Sequence, residues 1–277
     1  MPASSPEDAK CISVRESTSD KATEAASHSS SENNIPKFDI VYIKPDAPNN
    51  GSYREMLSDS VIPVYDALKK HLLDEKRCDK MEFDASYQTA VRFAFSALLE
   101  DHPELFWVDE MLDDISIYTD SHGKKKISVV FRELYPGSFD DIEKGWNELA
   151  HAVSIIKYAR ASESRYDTLQ AIQAYICDSV SNNRTVSDDY SVYLDSFVAP
   201  LLRCGTDEGK LICRGYARSF KAVCNQFDIP CVIIYGQTFD FGHAWNVVQM
   251  EDGKWYGADL TNDDGGELSP HYYNYFL

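Results

Sequence analysis

Between residues 213 and 260 the apolar spacing passes from one helical stretch to three short strand-like ones, and this run limits the fold more than any other feature. Residues 213–227 carry helical periodicity, whereas residues 230–238, 244–250 and 255–260 read as strands. Gly236, Gly242, Asp252-Gly253 and Gly265-Gly266 punctuate the ends of these segments. A hairpin joining 244–250 to 255–260 makes the sheet antiparallel. Helices first, then an antiparallel sheet with one helix packed on it, predict an α+β fold.

The region upstream reads as mainly helical. Residues 38–43 predict a short strand, ended by Pro45, Pro48 and Gly51. Residues 52–75 read as helical with a break at Pro63, and residues 84–100 as a clearer helix that stops before Pro103. Residues 103–119 and 125–133 look extended and flank Ser121-His122-Gly123, which suits a hairpin turn. Residues 138–162 and 165–180 predict two further helices, the first with Asp140 and Asp141 near its positive end. Residues 181–210 are polar and loop-like. Residues 1–36 are rich in Ser, Thr, Ala, Glu and Asp without apolar periodicity, and offer too little apolar area to offset the entropy of ordering. The organisation expected is a disordered tail over 1–36, a mainly helical region with a β-hairpin over 37–162, and an α+β core over 163–277.

Composition narrows the function classes. A net charge of −18 opposes binding to nucleic acid or anionic lipid, and the densest basic cluster, Lys124-Lys125-Lys126, falls in a turn. The seven cysteines are odd in number and none has CxxC spacing or His partners at zinc offsets, so neither a metal site nor a disulfide framework is expected. Most read as buried thiols acting as small apolar residues. No segment approaches the ~20 apolar residues of a membrane span. The N-terminus also lacks the apolar run of a signal peptide. That implies the cytoplasm if Met1 is the natural start, and the cell surface or exterior if a leader precedes it.

Three residues in the run 213–260 suggest chemistry. Cys213 sits where a loop turns into a helix, and the unpaired N–H groups and positive dipole of a helix start favour a thiolate. The same N–H groups can receive an oxyanion. Gly215, just inside the helix, leaves room for close approach. His243 opens a strand directly after Gly242, a rigid place from which to aim an imidazole at a thiol. Asp259 ends the next strand, where the hairpin brings it beside His243 to hold one ring tautomer. Cys213 would be the nucleophile, His243 its base and Asp259 the orienting acid. Each residue alone is weak evidence; the ordered set is specific.

The motifs around them resemble those of the transglutaminase-like superfamily, bacterial type, whose core is a papain-like cysteine peptidase fold. Ile212-Cys213-Arg214-Gly215-Tyr216-Ala217 resembles its Cys motif, and His243-Ala244-Trp245-Asn246 its His motif. Asp259, Thr261, Asp263 and Asp264 match its Asp motif, with Asn262 standing where that motif has Trp. The departure removes an aromatic contact and touches none of the three. The resemblance covers residues 165–277, and Asp101-His102-Pro103-Glu104-Leu105-Phe106-Trp107 resembles a segment that packs ahead of the catalytic domain.

The resemblance implies cysteine-dependent acyl transfer at an amide of a protein or peptide, without a cofactor. Water as acceptor gives a peptidase or deamidase, the favoured expectation, and a lysine amine gives cross-linking. A catalytically silent binding or scaffold module of the same fold is the rival from another class. Tyr216 and Trp245 are candidates to line the acyl pocket, although aromatics in such motifs more often pack in a core. Cys224 and Cys231 read as core residues.

Overall fold

The computed structural model describes residues 51–133, 139–179, 181–182, 210–237 and 242–264. The expected tail over 1–36, the strand expected over 38–43 and residues 183–209 of the expected loop, Cys204 among them, lie outside the described residues.

The first half of the chain is not only helical. A 3-10 turn, Tyr53–Met56, precedes helix α1 (Ile62–Lys69), which runs on through a π-helical turn at Lys70–Asp74. Pro63 does not break this segment as expected; it sits in the first turn of α1, where its missing N–H has no intrahelical duty. Strand β1 (Met81–Asp84) leads into α2 (Gln88–Asp101), with Ala90, Val91, Ala94 and Leu98 buried along one face. Strands β2 (Val108–Thr119) and β3 (Lys125–Glu133) form the expected hairpin, and β1 pairs with the far edge of β3 to make a three-stranded antiparallel sheet. The turn is fixed by Asp120, whose Oδ1 accepts from the backbone N–H of His122 and Lys124, and by Gly123 at φ +75°.

Residues 103–107 were expected to be extended. They form a turn instead, because Leu105, Phe106 and Trp107 are all buried in the core, which an alternating strand would not allow. Asp101, at the end of α2, accepts four hydrogen bonds, from Ser52 Oγ (2.7 Å), Tyr53 N (2.6 Å), Arg54 N (3.0 Å) and Tyr65 Oη (2.8 Å). It thereby fastens the stretch ahead of α1.

Helices α3 (Phe139–Ala159) and α4 (Arg165–Ser179) follow, then a two-residue parallel pairing of β4 (Ser181–Asn182) with β5 (Lys210–Leu211). Helix α5 (Cys213–Gln226) packs on the antiparallel sheet β6 (Cys231–Gln237), β7 (Gly242–Gln249) and β8 (Trp255–Ala258). The α+β architecture is therefore the one expected. Alternation along β7 buries Ala244, Asn246 and Val248, and Asn246 Nδ2 donates to Ala217 O of α5 at 3.0 Å. Buried residues of α1, α2 and β3 join those of α3, α4 and α5 in one continuous apolar cluster. Cys224 and Cys231 are fully buried in it, as expected.

Candidate active site

Cys213 is the first residue of α5. Ile212 before it is extended, at φ −98° and ψ 172°, and provides no side-chain cap, so the first N–H groups of the helix stay free of one. The half-buried Cys213 side chain packs against Ala217 one turn on, Ile233 of β6 and Ala244 of β7. Small and branched apolar residues thus fix where the thiol sits, and neighbouring Ala244 brings it beside His243.

His243, 9% exposed, stands opposite Gly236 in the β6–β7 register. Its Nε2 lies 2.7 Å from Asp259 Oδ2. That contact follows from the hairpin: β8 pairs with β7 up to Asn246–Ala258, and Asp259 comes next in the chain. Asp259 also caps the short helix α6 (Leu260–Asp263), its Oδ1 accepting from Asn262 N at 3.2 Å. The hydrogen bond to Asp259, followed by one to the Cys213 side chain, raises the pKa of His243 to about 9. With Nε2 turned to Asp259, Nδ1 is the nitrogen left for the thiol.

Trp245 is two residues along β7, on the same face as His243. Its ring stacks on the imidazole with centroids 5.9 Å apart and planes at 21°. The indole lies over Gly236, where an added Cβ would stand 2.5 Å from Trp245 Cη2, so the glycine makes room for the stack. Tyr216 sits elsewhere. It is 1% exposed, and its hydroxyl donates to Asp264 Oδ2. With Gln173 Nε2 donating to Asp263 Oδ2 at 2.5 Å, it ties the Asp motif to α4 and α5. Asp263 is buried in α6, beside these contacts.

Sequence reasoning missed two features. Asn262 Nδ2 donates to Asp259 Oδ2 at 2.6 Å, so the position read only as a lost aromatic contact touches the candidate triad. An Asx residue three positions after an Asp helix cap was the available signal. The other is a charged cluster beside Cys213. Arg214 pairs with Glu110 of β2 and, at 3.3 Å, with Glu100 of α2; Arg218 reaches Glu110 at 2.8 Å. Tyr235 of β6 donates to Glu100 Oε2 at 2.8 Å. A cavity of about 500 Å³ opens between α2 and β2 with Arg214 in its wall. Among the described residues no group of three His, Cys, Asp or Glu is placed to hold a metal, and no helix is long and apolar enough to cross a membrane.

Residues 154–260, which include Cys213, His243 and Asp259, match the family model of the transglutaminase-like superfamily. No curated protein matches the chain. Solved structures resemble it distantly. A TGase shares 13% identity at a TM-score of 0.38, over 72% of this chain and 52% of that one. A proposed cysteine protease from Cytophaga hutchinsonii shares 16% at 0.33, over 56% and 63%. The periplasmic domain of TgpA from Pseudomonas aeruginosa, bound to ethylmercury, shares 16% at 0.30, over 55% and 64%. The chain thus spans between half and two thirds of those solved chains. Over residues 154–260, then, the chain is similar to the transglutaminase-like superfamily.

Proposed function

We propose that Cys213, His243 and Asp259 carry out acyl transfer at an amide of a protein or peptide, completed by water. The observation that carries this is the 2.7 Å contact of His243 Nε2 with Asp259 Oδ2 beside a thiol at the start of a helix. Asp259 accepts a hydrogen bond from the Nε2–H, which leaves the Nδ1 lone pair to take the proton of Cys213. The sulfur attacks the carbonyl carbon, and the backbone N–H of Cys213 helps hold the oxyanion. His243 then gives its proton to the departing amine or ammonia, leaving a thioester on Cys213. Water, losing a proton to His243, attacks the thioester, and the thiol leaves with that proton. Attack by a lysine amine at this last step would give cross-linking instead.

The test uses wild type and Cys213→Ala with a glutamine-containing peptide, with and without excess primary amine, followed by mass. Hydrolysis predicts deamidation or cleavage that the variant lacks; dominant amine incorporation would replace hydrolysis with cross-linking. Iodoacetamide labelling at mild pH supplies the control. A Cys213 that reacts no faster than a thiol of the unfolded chain leaves only the binding-module reading.

A further inference from the structure

Asp259 receives three donors from two residues. Asn262 N donates to Oδ1 at 3.2 Å, Asn262 Nδ2 to Oδ2 at 2.6 Å, and His243 Nε2 to that same Oδ2 at 2.7 Å. The backbone bond belongs to the helix cap and survives a change of side chain at 262. The carboxamide bond does not. Asn262 itself is held in place because α6 is fastened through Asp263 to Gln173 and through Asp264 to Tyr216.

We propose that Asn262 is a positioning residue of the candidate triad, its carboxamide sharing Asp259 Oδ2 with His243 and so limiting how tightly the carboxylate holds the imidazolium. The inference rests on the acyl-transfer reading for its purpose, though not for its measurement. Two donors on one oxygen divide its negative charge, so each bond is weaker than it would be alone. A base that must return its proton to a leaving amine benefits from an acid that does not hold it too firmly. The titratable groups acting on His243 are Cys213 from α5 and Asp259 from the β8–α6 junction. Trp245 on its own strand is uncharged, and β6 presents Gly236 opposite. Among the described residues, Asp259 and Cys213 are the charged partners whose effect the titration reads.

The experiment is an NMR titration of the His243 ring in the full chain, comparing wild type with Asn262→Ala and Asn262→Asp. Losing the carboxamide should raise the His243 midpoint by about half a unit, roughly threefold in proton affinity. Asn262→Asp should raise it further by adding a second carboxylate. In a hydrolytic wild type, Asn262→Ala should lower kcat about threefold and leave KM unchanged. A residue that only stabilised α6 would lower Tm in both variants and leave the midpoint in place, and that result overturns the proposal; so does a fall. The arms separate the two ideas. A raised midpoint in a protein without hydrolysis removes the acyl-transfer reading and keeps the Asn262–Asp259–His243 coupling, whereas an unmoved midpoint in an active protein does the reverse.

Discussion

Arg214, the residue after Cys213, is ion-paired with Glu110 of strand β2. The pair joins the start of α5 to a strand from the first half of the chain, and Arg218 strengthens it one turn on. Burial pushes the Glu110 carboxyl up, but the two guanidiniums outweigh it and hold it below the usual range. Its side chain is 44% exposed, so solvent weakens the attraction. Glu110→Gln should therefore cost only about 1 kcal/mol, read from urea unfolding. It should also slow iodoacetamide labelling of Cys213 about two- to fivefold, because the helix start loses one of its anchors.

The raised pKa of His243 makes stability depend on pH. The folded state holds this proton more tightly than the unfolded chain does. The resulting stabilisation is complete below the ordinary His value of 6.5 and is lost as pH rises to about 9. It amounts to about 3 kcal/mol at most. Asp259→Asn removes the largest cause, so its unfolding free energy should be nearly flat across that window while that of wild type falls. Hydrolysis should drop on the order of 10³–10⁴-fold, because the ring loses its tautomer. Denaturation between pH 6 and 9 checks the first outcome, and peptide turnover the second.

Glu104 has the opposite pH sign. Burial raises its pKa from 4.5 to about 7, against the opposing hydrogen bond from Asn225. The unfolded chain ionises this group freely, so a penalty on the fold grows as pH rises from 4.5 and is complete above about 7. Glu104→Gln keeps an oxygen for Asn225 and cannot ionise. It should be more stable than wild type above pH 7 by about 2–3 kcal/mol and equal to it near pH 4. Equal Tm values at pH 8 would contradict this.

Much of the candidate site's geometry was legible because it lies in short periodic segments. Helix α5 and strands β7 and β8 fall within a few residues of their expected bounds, and one hairpin suffices to bring Asp259 to His243. What was illegible depended on single contacts between distant positions. Tyr216 becomes a brace because Asp264 waits beneath it, and Glu110 reaches Arg218 across 108 positions. Strand β1 was missed because its four residues are too few to show a period, and it exists by pairing with β3. Pro63 misled because proline in a first turn and proline in mid-helix look alike until the start of the helix is known.

Helix α5 is gripped at both ends by the first half of the chain. Its start meets Glu100 and Glu110 through Arg214, and near its end Asn225 Nδ2 donates to Asp101 O at 2.9 Å and to Glu104 Oε1 at 3.0 Å. Residues 51–133 thus act as a splint for a helix they do not contain. The sequence boundary of the family match and the mechanical boundary of the site do not coincide. In a screen scored by activity, lesions at Asp101 or Glu110 should masquerade as defects in the family-matched stretch, although neither residue falls within it.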